Sequence, residues 1–250
     1  MMKKEIHMTG QDLMGMVQLR PGDLGKYALV PGPKERMEAI AKRLKDPVKN
    51  FSFMEYTMHT GTFEGIKITT INGGRFAADT SITTEIMCNA KVGAMIRLGS
   101  CGALREDIKV GDIVVATTAI KGEGVTQYYV DADFVPTADK KLSDALVETA
   151  KANAMINNVI VGPCWTTDAL LRETREHVGK AVGQGAIAAD MVSAAFLTIC
   201  QTYNIPAAVI MAVSDNVITG EMDFMNTDYY MAESTMIQVA FDTVKRLEGK

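Results

Sequence analysis

The sequence predicts an α/β fold in which helices cover both faces of a mixed, mostly parallel sheet. Apolar runs of strand length alternate along the chain with segments whose apolar residues recur at helical spacing, which is the order expected of an α/β domain. Several of these runs have no polar residue at alternate positions, so their strands should be buried on both faces. Because no change of composition and no Ser- or Pro-rich linker divides the chain, residues 1–250 are expected to form one domain.

The first half of the chain begins with a strand and a helix. Residues 27–31 are a short apolar run that ends at the turn signal Pro31-Gly32. The apolar residues that follow recur on one helical face: Met37, Ile40, Ala41 and Leu44. The remaining segments are expected in this order: two strands around Glu64-Gly65 within 56–71, a helix at about 80–91, and a central strand at 94–98.

The second half continues the alternation. Its apolar runs predict strands at residues 112–120, 157–162 and 206–214. Apolar residues at helical spacing predict three helices: one containing Leu142, Ala145, Leu146 and Thr149, one at 191–200, and a last one containing Met236, Val239, Ala240, Val244 and Leu247. Ligands of such sheets bind at the carboxyl ends of the strands, so the residues directly after each strand are the first candidates for a functional site.

Composition limits the classes of function. The chain is 47% hydrophobic with a net charge of −4, which is too apolar and too weakly charged for a disordered protein. No apolar run reaches the roughly 18–20 residues of a membrane span, and the N-terminus lacks the apolar stretch of a signal peptide. A pI near 5.5 without a basic block argues against a nucleic-acid partner. We therefore expect a soluble, cytoplasmic protein that binds neither a membrane nor nucleic acid.

Neither a metal nor a nucleotide cofactor is indicated. The chain has only three histidines, and its cysteines have no CxxC spacing, so they are expected to be small buried side chains: Cys88, Cys101, Cys164 and Cys200. Its glycine-rich turns match neither the GxGxxG pattern nor a Walker motif, which argues against dinucleotide or ATP binding through these loops.

Polar and glycine-rich segments follow several predicted strands. They are Pro31-Gly32-Pro33-Lys34-Glu35-Arg36, Asn72-Gly73-Gly74-Arg75, Gly99-Ser100-Cys101-Gly102, Thr166-Thr167-Asp168 and Ser214-Asp215-Asn216. Arg97 lies within an otherwise apolar strand, where a charge is costly unless an anion meets it. That anion is either an internal carboxylate or a bound phosphate, which Arg36 and the Ser100 hydroxyl would also hold.

Four sequence blocks occur in the order and spacing of one known family: VPGPKERMEAIA, IRLGSCGALREDIKVGDIVVAT, ADMVSAAFLTIC and AVSDN. Through them the sequence resembles the nucleoside phosphorylase superfamily, and more narrowly the branch of bacterial-type purine nucleoside phosphorylases, uridine phosphorylases, and methylthioadenosine phosphorylases or nucleosidases. The resemblance implies a three-layer α/β/α sandwich around a mixed, partly barrel-like sheet. It also implies dimers with shared active sites that often form hexamers. The implied reaction is phosphate-driven cleavage of an N-glycosidic bond, with inorganic phosphate as co-substrate and no cofactor.

Carried over position by position, the resemblance implies a role for single residues. The phosphate-binding positions are Gly32, Arg36, Arg97 and Ser100. His7 matches a histidine that reaches the sugar 5′-hydroxyl in the neighbouring subunit, and Met191 matches a methionine beneath the ribose. Asp215 matches the acid that protonates N7 of a leaving purine, a contribution of about 10²–10⁴-fold in rate. Asp215 and Arg97 are therefore the predicted catalytic residues.

Other positions depart from the family pattern. The usual PGDP turn loses its Asp, and Met54 stands where an arginine usually completes the adjacent subunit's phosphate site. Arg75 either replaces that cation or is a solvated loop residue. Asp190-Met191-Val192 stands where the family has Glu-Met-Glu, so Val192 replaces the carboxylate that bonds the ribose hydroxyls. Alternatively, Asp190 rotates to bond the sugar. Leu170-Leu171 removes an aromatic pair that would stack on the base, and Leu170 is expected to line the nucleoside site.

Two sequence features predict which base the substrate carries. Asp168 is expected near the nucleoside. The segment between Asp168 and Asp190 is too short to hold the insertion that recognises uracil in uridine phosphorylases. Those enzymes also generally lack the Asp of the VSDN block. Both features favour a purine nucleoside, whereas the N-terminal HMTGQDL stretch is closer to uridine phosphorylases. Uridine phosphorolysis is therefore the alternative. A nucleosidase, or a nucleoside-binding relative without catalysis, is the second alternative, because a ribose carboxylate and a phosphate arginine are lost.

Overall fold

The structure, a computed structural model, describes residues 4–222 and 225–250. Within these residues the strands are β1 (Tyr27–Pro31), β2 (Lys45–Phe53), β3 (Tyr56–Phe63), β4 (Ile66–Ile71), β5 (Ala94–Ala103), β6 (Ile113–Gly122), β7 (Val159–Thr167), β8 (Ala188–Asp190), β9 (Ala207–Asn216) and β10 (Glu221–Met222). The α-helices are α1 (Gly10–Met16), α2 (Lys34–Ala41), α3 (Ala77–Asn89), α4 (Lys140–Ala152), α5 (Arg175–Gly183), α6 (Ser193–Thr202) and α7 (Thr227–Leu247).

One sheet contains all the strands of the described residues, in the order β10-β9-β6-β7-β8-β5-β1-β4-β3-β2. A further pairing of β5 with β9 closes β5, β8, β7, β6 and β9 into a ring, from which β1, β4, β3 and β2 extend as an open sheet. The predicted mixed, partly barrel-like sheet is therefore confirmed.

The expected majority of parallel pairs is not found. Five strand pairs in the described residues are parallel and five are antiparallel. The difference arises at both ends of the sheet. β2, β3 and β4 form consecutive hairpins, and β6 lies antiparallel to β9 as it enters the ring. Hairpins need only short connections, whereas parallel pairs need a crossover.

Apolar residues pack on both faces of the sheet, as the continuous apolar runs predict. On β9, Val209 and Met211 belong to a core with α1, α3 and α6, whereas Ala208 and Ile210 belong to a second core with α2, α4 and α7. Adjacent residues of a strand point to opposite faces, so this division places one helical layer on each side. The three layers of the predicted sandwich follow from it. The four cysteines are free and buried. No helix of the described residues is long and apolar enough to cross a bilayer.

Several elements are short or have few apolar residues, and they were not predicted: α1, β2, α5, β8 and β10. β2 is mostly exposed and contains Pro47; it pairs only with β3, through two irregularities. Polar side chains and proline are typical of a strand at the edge of a sheet, where one side of the backbone faces solvent. Such a strand forms because its neighbour offers backbone hydrogen bonds. Its own residues therefore give no sign of the strand in the sequence.

Phe241 on α7 provides a test of the packing between this helix and the sheet. Its ring is fully buried, and its centroid lies 4.5 Å from that of Phe63 on β3. We expect Phe241→Ala to lower the free energy of unfolding by about 3–5 kcal/mol, because the lost contacts leave a cavity. Urea denaturation measures the effect, with exposed Met155→Ala as the control, for which a change within about 0.5 kcal/mol is expected. A similar loss in both variants would contradict this packing.

Candidate active site

A cleft of about 330 Å³ opens where β1, β5, β8 and β9 end. Of the residues predicted for the site, it brings together Gly32, Arg36, Arg75, Arg97, Ser100, Leu170, Asp190, Met191, Val192 and Asp215. These residues come from segments far apart in the sequence, and the sheet topology collects them because the strands that precede them are neighbours. The cleft has a cationic part around the arginines and an acidic part around Asp215.

Arg97 is only 4% exposed and lies within the apolar strand β5. Its Nη2 donates to the carbonyl oxygen of Gly74 at 2.9 Å, while the buried Nη1 has no partner among the described residues. Burial lowers the pKa of Arg97 to about 10, against the opposing field of Asp190, so the guanidinium stays charged at neutral pH. A buried charge with an unused N–H is unfavourable until an anion binds it.

Two glycines make room for this guanidinium. A Cβ atom on Gly73 would lie 2.8 Å from Nη1 of Arg97, and one on Gly32 would lie 3.0 Å from Nη2. The first distance is shorter than real Cβ contacts and the second is tighter than most of them, so these glycines leave space for the arginine. Of the two anions considered for Arg97, an internal carboxylate contributes only through the field of Asp190, because no carboxylate of the described residues forms an ion pair with Arg97.

Arg36, at the start of α2, is buried and held by contacts to four residues. Its Nε donates to Glu233 at 2.6 Å and its Nη1 to the Leu98 carbonyl at 2.8 Å. Its Nη2 donates to the Ser100 hydroxyl at 2.9 Å and to Tyr229 at 3.2 Å. The Ser100 and Tyr229 hydroxyls are themselves 2.7 Å apart. Arg36 is therefore fixed in place, and one of its five N–H groups has no partner among the described residues and is available to an anion.

The sequence did not point to Tyr229 or Glu233 as part of the site. They lie one turn apart on α7, almost 200 positions after Arg36, and only the packing of α7 against the sheet brings them to it. Their helical spacing is the one available signal, and it is shared by many surface residues.

Arg75 is exposed and lies at the rim of the cleft, directly after Gly74. Gly74 has φ +81°, and a Cβ there would lie 2.1 Å from Cβ of Asp79, so this turn requires glycine. Met54 is 71% exposed at the turn between β2 and β3, and it does not line this cleft. Replacement of a missing cation by Arg75 remains a prediction.

Asp190, at the end of β8, uses its carboxylate within the fold. Oδ1 accepts from the Thr166 hydroxyl at 2.7 Å, and Oδ2 accepts from the Ser193 amide at 2.9 Å, the Ser193 hydroxyl at 2.6 Å and the Val192 amide at 3.2 Å. Burial raises the pKa of Asp190 above its usual range, against these hydrogen bonds. A rotation towards a sugar would break four hydrogen bonds and uncover the first amides of α6. This makes Asp190 a poor substitute for the missing ribose carboxylate.

Val192 is 3% exposed and lines the cleft next to half-buried Met191. Val192 offers apolar surface at the position where the related pattern carries a carboxylate. A sugar hydroxyl facing Val192 finds no hydrogen-bond partner there.

Asp215 lies at the end of β9, opposite Gly102 on β5. Its Oδ1 accepts from the Ser214 hydroxyl at 2.7 Å, and a Cβ on Gly102 would lie 2.9 Å from its Oδ2. Burial raises the pKa of Asp215, which the Ser214 hydrogen bond opposes. A carboxyl with a raised pKa holds its proton closer to neutral pH, as a general acid must.

Glu173 also lines the cleft, and the sequence did not point to it. It follows the short 3₁₀ turn Leu170–Arg172 and precedes α5. Burial raises the pKa of Glu173, and the negative field of Asp215 adds to this effect, so that the pKa is about 7. The signal in the sequence is weak, because Glu173 lies six residues after the end of β7 and not directly at its carboxyl end.

His7 and Asp168 do not line the cleft in the described residues. His7 is exposed, and its predicted contact is with a neighbouring subunit. Asp168 is exposed too, and its Oδ2 accepts from the Gly124 amide at 2.8 Å, which ties the segment after β6 to the end of β7. Both assignments to a nucleoside remain predictions.

Comparisons with known proteins identify the family of this chain. Residues 26–241 match the sequence model of the family described as "Phosphorylase superfamily". Curated relatives named "Purine nucleoside phosphorylase DeoD-type" include proteins from Bacillus cereus (strain B4264) and Bacillus thuringiensis (strain Al Hakam). Each is 27% identical to this chain over 229 residues, which cover 90% of this chain and 96% of the relative.

A solved structure shares the fold. It is the crystal structure of uridine phosphorylase from Vibrio fischeri ES114 complexed with 6-hydroxy-1-naphthoic acid. Its TM-score is 0.82 at 19% sequence identity, over 94% of this chain and 99% of the other.

Proposed function

Because this chain belongs to the phosphorylase superfamily, we propose that it cleaves the N-glycosidic bond of a nucleoside with inorganic phosphate. The products are the free base and a ribose or deoxyribose 1-phosphate, and purine nucleosides are the preferred substrates. The observation that carries the proposal is the buried guanidinium of Arg97, which lines a cleft shared with Asp215 and whose Nη1 has no partner among the described residues.

Phosphate supplies the nucleophile. Arg97 and Arg36 bind two of its oxygens, and the Ser100 hydroxyl and local backbone amides complete the anion site. A phosphate oxygen forms a bond to C1′ of the sugar as the bond from C1′ to the base breaks. The sugar becomes cationic in the transition state, and the nearby phosphate charge stabilises it.

Asp215 assists departure of the base. The electron pair of the broken glycosidic bond moves into the base, which is a poor leaving group as an anion. Asp215 gives its proton to N7, so that a purine leaves neutral. Ser214 positions this carboxyl through the 2.7 Å hydrogen bond to Oδ1.

The preference for purines rests on Asp215 and on the purine nucleoside phosphorylases among the relatives. Uridine phosphorolysis is the second candidate, because the N-terminal stretch resembles that of uridine phosphorylases. The likeness to the Vibrio enzyme supports only the fold that both share. A nucleosidase would need no anion site, and Arg97 argues against it.

The proposed enzyme is a cytoplasmic homo-oligomer formed by one catalytic domain, residues 1–250. Its dimers share active sites, with His7 reaching the sugar 5′-hydroxyl in the neighbouring subunit, and they assemble further into hexamers. Analytical ultracentrifugation measures the oligomeric state. His7→Ala should lower the activity and leave the oligomeric state unchanged.

The deciding experiment incubates the protein with inosine, adenosine and uridine, with and without phosphate, and separates the products by chromatography. Release of hypoxanthine or adenine together with a sugar 1-phosphate, only when phosphate is present, supports the proposal. Faster release of uracil would favour the second candidate. Release of the base at the same rate with and without phosphate would identify a nucleosidase. No turnover of any of the three nucleosides would contradict catalysis.

Val192 predicts weak discrimination between ribose and deoxyribose. A carboxylate at this position would reject a sugar without hydroxyls, because its charge would stay unpaired, whereas valine makes no such demand. We expect similar kcat/KM values for inosine and 2′-deoxyinosine, or a preference for the deoxynucleoside. Val192→Glu should move the preference towards inosine. Steady-state kinetics on both substrates in both proteins measures the ratio.

Wild-type protein that prefers inosine by about 100-fold, or roughly 2.7 kcal/mol, would contradict this role of Val192. Another residue would then hold the sugar hydroxyls. Val192→Ala is the matched control, since it alters the side-chain volume without adding a hydrogen-bonding group.

A further inference from the structure

Glu173 lies in the cleft without a role in the reaction proposed above. It is half-buried, and its carboxylate accepts no hydrogen bond from the described residues. Most carboxylates of this chain that are equally buried have a partner, as Asp190 and Asp215 do. A desolvated carboxyl with unused hydrogen-bonding capacity costs free energy, which a ligand in the cleft can recover.

The position of Glu173 is defined by its neighbour Asp215. Along β5, Ser100 belongs to the cationic part of the cleft, while Gly102, two residues and roughly 7 Å further on, faces Asp215. The sugar fits between the two parts, so the base lies with Asp215 and Glu173. N7 of a purine and its 6-substituent share one edge of the ring. With Asp215 at N7, a second carboxyl that lines the same cleft and lies within the field of Asp215 is suited to position 6.

We propose that Glu173 is a specificity-determining residue that contacts the 6-substituent of the purine and selects between 6-amino and 6-oxo purines by its protonation state. The inference rests on the proposed function and names the substrate class of that site. An ionised carboxylate only accepts hydrogen bonds, so it pairs with a 6-amino group and repels a 6-oxo group. A neutral carboxyl also has an O–H, which it donates to a 6-oxo group.

The charges around Glu173 place its titration near neutral pH. Burial raises the pKa of Glu173, and the negative field of Asp215 on β9 raises it further. The other charged residues of the cleft are Arg36, Arg75, Arg97 and Asp190. On its own segment, Glu173 is flanked by Arg172 and Arg175. Burial and Asp215 outweigh these cations, so both protonation states of Glu173 are populated around pH 7.

The test measures kcat/KM for adenosine and inosine from about pH 6 to about pH 8, the range in which Glu173 titrates. A ratio cancels effects on phosphate binding, folding and general acid catalysis that both substrates share. We expect the adenosine-to-inosine ratio of the wild type to rise with pH by about tenfold, the effect of one hydrogen bond gained or lost. Glu173→Gln should flatten the ratio, because an amide presents either a donor or an acceptor at any pH.

Glu176→Gln is the matched control. Glu176 is exposed on α5, pairs with Lys180 and lies outside the cleft, so its variant should keep the wild-type profile. A wild-type ratio that does not change with pH overturns the inference, as does an unchanged slope in Glu173→Gln. Either result leaves phosphorolysis intact. If phosphate-dependent cleavage of both purine nucleosides is absent, the proposed function fails, and this inference fails with it.

Discussion

Replacing Arg97 with alanine should lower kcat/KM for phosphorolysis by roughly 10²-fold or more, because a buried charge-assisted contact to the nucleophile is lost. The structure adds a reason beyond the charge. Nη1 of Arg97 is buried without a partner in the described residues, so its interaction with an anion is not weakened by competing protein acceptors. The KM for phosphate should rise most, and the initial rate at varied phosphate concentration measures it.

The controls separate binding from folding. Arg97→Lys keeps the charge but loses the fork that reaches Gly74, so it should recover only part of the activity. Arg105→Ala removes an exposed arginine that pairs with Asp107, and it should leave the rate unchanged. Thermal denaturation shows whether each variant is folded. Folded Arg97→Ala protein with the wild-type phosphate-dependent rate would refute the assignment. A crystal soaked in phosphate should show an anion among Arg36, Arg97 and Ser100.

The sequence predicted the centre of the fold better than its edges. Strands such as β5 and β9 are buried on both faces, so each forms a continuous apolar run that is visible without any neighbour. The edge strand β2 and the exposed helix α5 owe their structure to the partners on which they pack. The equal number of parallel and antiparallel pairs was missed for the same reason, since pairing direction depends on the connections between strands and not on their composition.

The site divides in a similar way. Arg97 was predicted to meet an anion because burying an unpaired arginine charge in an apolar strand costs free energy. This argument needs only the sequence. The engagement of Arg36 by Glu233 and Tyr229 could not be predicted, because those residues are distant in sequence. Asp190 shows what the fold adds to a sequence-based assignment, and its contact with a nucleoside stays a prediction. Its type and position suggested a contact with the sugar, but in the fold its oxygens hold the start of α6.

Asp215 is expected to act as the general acid. Asp215→Asn should lower kcat/KM for inosine by about 10²–10⁴-fold, because the amide cannot give a proton to N7. An N7-methylated nucleoside releases a neutral base without that proton, so its cleavage should fall much less. In the wild type, the rate on inosine should fall as pH rises through the pKa of Asp215, which burial raises, because the acid form is lost. The rate on the N7-methylated substrate should not follow this fall.

The comparison of the two substrates isolates the proton from every other contribution of Asp215. Positioning of the base and packing at the end of β9 affect both substrates equally, so they cancel in the ratio of the two losses. Asp107→Asn, on an exposed carboxylate that pairs with Arg105, is the control and should leave both rates unchanged. Equal losses on inosine and on the N7-methylated nucleoside would mean that Asp215 orients the base or supports the strand end. The leaving purine would then be protonated elsewhere, and Glu173, the other carboxyl in this part of the cleft, would be the next residue to replace.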